Sequence, residues 1–297
     1  MPFASFTLEN DFFAGYDRHY TNGVQVAFVT DAASAPAALR ALPPLRWSAD
    51  PQVVVAVGQR MYTPTDTWRA PPDPADRPYA GWLYLLADVR TRDGDVVDHI
   101  TVTVGAVGPA ALGRQSQRII HRLLDERPSE GWDSQLRNEA TAMVGFERAW
   151  PALATTNVLG GKFDTSLRAG ATFGTPFTYA SAGAVVRYGR NLPVDLPATH
   201  ISLGPSRDGF RGTSAFGWYA WAGIDARAVA RNVFIDGNTF RDSASVKREP
   251  FGFDAQLGIA ATWPRARIGF TYVQRSKEFE GQGSGDRFGQ LAISFAY

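Results

Sequence analysis

Among the four histidines of the chain, His121 has the neighbours that hydrolytic chemistry needs. An imidazole with an ordinary pKa of about 6.5 is a neutral proton acceptor at working pH. If Gly113–Leu124 is helical, Gln117 lies four residues before His121 on the same face, placed to orient the ring or to hold a water. The same spacing also suits a solvated histidine on an amphipathic turn. A second polar group opens the chain, where Leu8-Glu9-Asn10-Asp11 is followed by Asp17 and by Tyr20-Thr21-Asn22-Gly23. Strand alternation sends Glu9 and Asp11 to one side and Asn10 to the other, unless the strand ends or bulges there. Carboxylate and amide oxygens collected at a strand end suit a hard cation such as calcium, which takes about six to eight oxygens. An ordinary turn uses the same residues, and their order is not that of an EF-hand loop.

Other chemistries are set aside by what the chain lacks. There is no cysteine, hence no disulfide, thiolate metal site or cysteine nucleophile. No G-x-S-x-G motif exists, and Ser116 falls on a different helical face from His121, which disfavours a serine nucleophile. The run Gly281–Gly285 lacks the lysine of a phosphate loop and reads as a hairpin loop before the last strand. Lysine plus arginine (30) nearly balances aspartate plus glutamate (29), so no global field points to nucleic acid.

The elements that must hold these residues are strands. Thr165–Phe173 alternates strictly, with Leu167, Ala169, Ala171 and Phe173 on one face. Similar segments run over Phe3–Asn10, Tyr20–Thr30, Gln52–Gln59, Trp82–Arg90, Ile100–Val104, Asn138–Arg148, Ala182–Tyr188, Phe216–Ala222, Phe253–Ala261, Arg267–Val273 and Phe288–Tyr297. That gives about twelve strands, an even number as bacterial membrane barrels use. Aromatics near strand ends (Trp82, Tyr84, Trp150, Trp218, Tyr219, Trp221, Trp263, Tyr272, Phe295, Tyr297) suit the two interfacial girdles of such a barrel. No apolar run reaches the roughly 18 to 20 residues of a spanning helix. The expected fold is therefore all-β: one antiparallel transmembrane barrel over residues 1–297, with the helix Gly113–Leu124 inserted between strands. Ala32–Asp50 and Tyr62–Arg77 are expected as long excursions on one rim. The start of the chain has no basic region followed by an apolar core, so it reads as a mature form with an added or retained Met1.

One ordered set of residues resembles the lipid A 3'-O-deacylase family of LpxR-like barrels. It comprises Glu9-Asn10-Asp11-Phe12, Asp17, Tyr20-Thr21-Asn22-Gly23, Asp76-Arg77-Pro78-Tyr79-Ala80-Gly81-Trp82, Gly108-Pro109, Gln117 with His121, and Gly131-Trp132-Asp133-x-Gln135-Leu136-x-Asn138-Glu139. The resemblance implies a twelve-stranded, monomeric outer-membrane barrel that removes the 3'-linked acyloxyacyl group of lipid A, with calcium as cofactor. It further implies His121 as general base and Gln117, Asn10, Asp11 and Thr21 as the other positions on which activity depends. Calcium would sit near Asp11 and, with Asn10, stabilise the oxyanion, with Glu139 and Asp17 as further oxygen ligands or orienters. The scissile ester would enter laterally from the outer leaflet. Where family members carry a basic pair for the lipid phosphates, the stretch Thr65–Arg77 offers only Arg69 and Arg77. Asp125 and Glu126, after the helix, have no sure register with the family's acidic residues. Two other functions fit the same fold: a passive pore or anchor, and an outer-membrane phospholipase.

Overall fold

The computed structural model describes residues 2–15, 19–31, 51–125, 127–193 and 213–296. Twelve antiparallel strands close into one barrel, each paired with its sequence neighbours and the last with the first. They are β1 (Phe3–Asn10), β2 (His19–Asp31), β3 (Gln52–Thr63), β4 (Ala80–Asp93), β5 (Val96–Val107), β6 (Glu139–Val158), β7 (Gly161–Gly174), β8 (Phe177–Arg190), β9 (Gly217–Asn232), β10 (Phe251–Trp263), β11 (Ala266–Arg275) and β12 (Arg287–Ala296). Closure satisfies every ladder and leaves no sheet edge, which is what a β-structure in lipid requires. The outward positions form the apolar band: Phe28, Val55, Leu85, Val102, Phe146 and Leu257 are all exposed.

Helix α1 (Gly113–Leu124) has the expected bounds and follows β5. Several strands run further than their alternation announced; β6, for instance, continues to Val158 past Pro151 and a register irregularity between Trp150 and Ala154, which break the alternation. The two long excursions do not share a rim. The segment 64–79 joins the ends of β3 and β4 on the helix side, and the excursion starts after Tyr62, which lies within β3. Residues 32–50 lie outside the described residues, but β2 and β3 flank them at the opposite rim, with Asp31 paired to Gln52. That rim also carries the tight turns after β4, β6 and β10 and the start of β1 beside the end of β12.

The aromatic girdle needs a similar correction. Trp82, Tyr84, Tyr219 and Trp221 are buried and face the lumen, whereas Trp218, Trp263 and Phe295 are exposed on the wall. Period two sends adjacent aromatics to opposite faces, so Trp218 and Tyr219 cannot both meet lipid. At the rim away from the helix, Phe216 and Trp263 form a tilted pair with centroids 5.6 Å apart, and Tyr188 and Trp218 an edge-on pair at 6.1 Å.

The lumen is filled rather than open. A short turn, α2 (Val233–Asp236), dips into the barrel and inserts Phe234 between Tyr62 (centroids 4.1 Å) and Phe177 (5.3 Å). Tyr62 continues to Tyr20 (5.5 Å) and Phe177 to Trp82 (6.0 Å), so side chains from facing walls touch across the interior. Ion pairs fill the rest of the lumen, including Arg275 and Arg227 on Asp254 and Arg187 on Asp164, all buried. Such pairs hold charge inside a membrane barrel only because each partner is neutralised there. The purified protein in a planar bilayer is therefore expected to give no stepwise conductance; stable conductance steps would contradict the filled lumen.

Candidate active site on the outer wall

The site residues on the strands are gathered by register. Gly289, Asn10, Asn22, Met61 and Gly81 are successive partners across β12, β1, β2, β3 and β4. Their chain neighbours Glu9, Tyr62, Trp82 and Phe288 are buried in the lumen, so alternation turns this row to the outside of the barrel. Polar atoms on a lipid-facing wall need cover, and here the loops supply it. After β1 a 3₁₀ turn (Asp11–Ala14) is capped by Asn10, whose Oδ1 accepts from the Phe12 N–H at 2.8 Å. The turn brings Phe13 over Gly289, where a β-carbon would come within 2.5 Å of the ring's own Cβ. Phe13 also meets Phe270 edge-on at 5.8 Å. Asp11 is buried at the head of this turn.

At the start of β2 the register slips between Tyr20 and Asn22, leaving Thr21 as the extra residue of a β-bulge. Tyr20 keeps its place in the lumen, donating to Glu9 at 2.6 Å, while Thr21 meets Thr63 with hydroxyls 2.7 Å apart. Both threonines are buried. His19, just before the bulge, has a left-handed φ of 63°, uncommon for a residue with a side chain. Its ring is clamped there by neighbouring loops: Nδ1 lies 2.6 Å from Asp286, and Nε2 lies 2.9 Å from Thr65 Oγ1 and 3.5 Å from Asp76. Burial would raise the Asp76 carboxyl, but His19 and the Thr65 N–H outweigh it and hold that carboxyl well below the usual range.

Helix α1 packs on the outside of the same wall. Its buried face repeats at Gly113, Gln117 and His121, and Gly113 sits 3.2 Å from the point where Gly81 would carry a β-carbon. The Gln59 side chain, also outward, donates to the Ala111 carbonyl at 2.6 Å. Trp132 is buried against Met61 and Tyr79, and Ile120, next to His121, packs on that cluster. The helix thus lies over β3 and β4, with Thr21 and Asn10 one and two strands along from Met61. His121 Nδ1 donates to the Arg127 carbonyl at 2.7 Å, which leaves the lone pair of the neutral ring on Nε2. Gln117 Oε1 accepts from the Trp132 indole at 2.5 Å, and its Nε2 is buried with no hydrogen-bond partner. A base with a fixed tautomer and a buried, uncommitted N–H donor one turn away are the parts an acyl transfer to water needs.

Three expected residues are not brought to this wall. Glu139 faces the lumen on β6, five strands from β1, where its Oε2 accepts from the Thr239 N–H at 2.7 Å and from Asn238. Its acidity serves to hold the β9–β10 loop, and it cannot share an ion with Asp11. Arg77 is wholly buried over Tyr62 at 4.7 Å and donates to Glu278 at 3.0 Å, so it does not reach a lipid phosphate. Arg69 is exposed on the β3–β4 loop rather than on the wall, and it pairs with Asp73 at 2.7 Å. Asp125 is exposed in a left-handed helix cap, and Asp17 and Glu126 lie outside the described residues. Among the described residues no three His, Cys, Asp or Glu side chains converge, and Asn10 Oδ1 already accepts one hydrogen bond within its own turn. The sequence reading gave Thr63, Trp132 and His19 no role; Gly131-Trp132 was in view only as part of a pattern, and nothing local marks Thr63.

A family model described as "Outer membrane protein LpxR" matches residues 2–297. Among solved structures, LpxR from Salmonella typhimurium matches with a TM-score of 0.82 at 18% identity, over 99% of this chain and 100% of that one, a likeness that speaks for the fold. The β domain of the Bordetella autotransporter BrkA (TM-score 0.46, 9% identity, 100% and 98% covered) and KdgM porin (0.41, 5%, 99% and 99%) are too different in shape to bear on the site. No curated protein matches the sequence.

The clamp on His19 makes a pH prediction. A carboxyl depressed in the folded state adds stability that is complete above its ordinary value of 3.8 and is lost as pH falls below it. Thermal unfolding of the wild type should lose more between about pH 5 and pH 3 than that of Asp76→Asn; equal losses would show that the clamp contributes nothing.

Proposed function

The chain belongs to the LpxR family of outer-membrane proteins, and from that premise we propose that it is an ester hydrolase removing the 3'-linked acyloxyacyl group of lipid A. The observation that carries this reading is the oriented pair His121 and Gln117, seated against the outer wall over β3 and β4, with Thr21 one strand and Asn10 two strands further along. A site on the lipid-facing side of a filled barrel is reached by a membrane lipid without entering the lumen. The rim of tight turns and strand β1's start is assigned to the periplasm, and the helix rim to the cell surface, where outer-leaflet lipids lie.

In the proposed reaction Nε2 of His121 takes a proton from water, and the resulting hydroxide attacks the ester carbonyl. The tetrahedral oxyanion accepts from the Gln117 Nε2–H and from the Asn10 amide, whose oxygen is already held by Phe12 so that its N–H groups face away from the turn. As the acyl C–O bond breaks, His121 returns its proton to the departing sugar oxygen, giving a carboxylic acid and an alcohol. Asp11 and Thr21 complete the polar wall against which water and ester are held. Arg69 is the proposed contact for a lipid phosphate, reached by releasing Asp73. No step is assigned to calcium; its requirement is tested by chelation. The filled lumen argues against the pore reading, while a glycerophospholipid ester would suit the same groups.

Mass spectrometry of lipid A from cells expressing the protein should show loss of one acyloxyacyl unit, with and without a chelator as separate arms. His121→Ala should slow this at least ~10²-fold and Gln117→Ala about 10²-fold. An undiminished rate in His121→Ala would refute the mechanism, and preferential hydrolysis of a competing glycerophospholipid would change the substrate. Trp132→Phe, which removes the indole donor to Gln117 and the part of the ring that packs on Gly113, should lower kcat about 10-fold and leave KM in place.

A further inference from the structure

Above the barrel mouth the segments 108–138 and 233–250 leave an open cleft of about 510 Å3. Its walls are mixed: Gln115, Ser134, Gln135 and Ser243 line it beside Pro109, Leu136 and Ala244, together with charged side chains. Trp132 also reaches it, the residue whose indole N–H holds Gln117 on the other side. A ligand that carries hydroxyls and also an apolar face, as a sugar ring does, would find donors, acceptors and apolar surface together here.

The charges narrow the ligand further. Two carboxylates line the cleft with two guanidinium groups: Asp133 is engaged by Arg114 at 2.8 Å, and Asp242 is exposed. Arg137 is different: its backbone is pinned from both directions, the N–H donating to Asn238 Oδ1 at 2.9 Å and the carbonyl accepting from Asn238 Nδ2 at 2.9 Å. Among the described residues no carboxylate engages its guanidinium, which is thus a cation on a fixed stem, directed to the cleft. Gln135 adds a buried side-chain oxygen with no hydrogen-bond partner.

We propose that this cleft is a subsite for an acidic sugar, with Arg137 receiving the anionic group and Gln115, Gln135, Ser134 and Ser243 its hydroxyls. The proposal rests on the lipid A reading, since lipopolysaccharide continues from lipid A into saccharide that projects from the membrane. The sugar is held on the aqueous side of Trp132 and the ester on its membrane side. Occupation of the cleft steadies the segment that positions Gln117.

The test uses the full chain in detergent and, as probe, lipopolysaccharide saccharide fully deacylated with alkali, which is soluble and carries no scissile ester. Calorimetry should show saturable binding to the wild type and equally to His121→Ala. Arg137→Ala should bind about 10-fold more weakly and Arg137→Lys should recover part of the loss, because a charge-assisted bond is removed and then partly restored. The pinning bonds of Arg137 are made by its backbone, so both variants should keep the wild-type fold. In turnover, a substrate retaining the saccharide should show about a 10-fold lower KM than lipid A alone at similar kcat. No saturable binding to the wild type, or equal binding to Arg137→Ala, would overturn the subsite even if deacylation is found. Binding with no ester hydrolysis would leave the subsite standing and remove the deacylase reading instead.

Discussion

Trp132 is wedged between helix and barrel: its ring is tilted on Tyr79 at 5.0 Å, it packs on Met61, and its N–H is spent on Gln117. A barrel wall in lipid should present apolar side chains, yet the upper outer face of β1–β3 carries Asn10, Thr21, Asn22, Gln59 and Thr63. Those groups are tolerable only where polypeptide covers them and satisfies their hydrogen bonds. The seat of Trp132 fixes that cover, and loss of so large a buried ring costs about 3–5 kcal/mol. The same contact sets the angle of Gln117 and, one turn on, the placement of His121.

Cover and closure divide the molecule's work. The lumen, crossed by the Tyr20–Tyr62–Phe234–Phe177 contacts and by buried Arg–Asp pairs, supplies rigidity and no passage. The proposed chemistry is left to the outer wall, where small residues let the cover come close: Gly81 under Gly113, and Gly289 under Phe13. The Thr21 bulge belongs to the same economy of space, since it turns a threonine outward without moving Tyr20 from the lumen. Bulges at barrel rims re-aim side chains in this way.

Much of this was legible in the amino-acid order. Alternation announced the strands, and the bounds of α1 were readable because a helical period interrupts a period of two. Which face of each strand meets lipid was harder: Trp82 and Trp218 look alike in sequence, but one is packed in the lumen and the other exposed on the wall. Asn10 opposite to Glu9 followed from alternation, whereas Thr21 on the outer side needed the bulge, which leaves no local mark. Arg77 and Glu139 were misplaced because a charged residue beside a motif reads as a ligand contact. Their buried partners, Glu278 and the Thr239 amide, are distant in sequence and come close only when the barrel closes.

The central claim is that the strand residues and the helix residues form one site although no stretch of sequence joins them. A double-mutant cycle on kcat/KM with Thr21→Ala and His121→Ala tests it most directly, since groups serving one reaction step are strongly non-additive. If they act as a unit, Thr21→Ala alone is impaired and the double variant is no slower than His121→Ala. Losses that multiply in the double variant, or an unimpaired Thr21→Ala, would contradict the account.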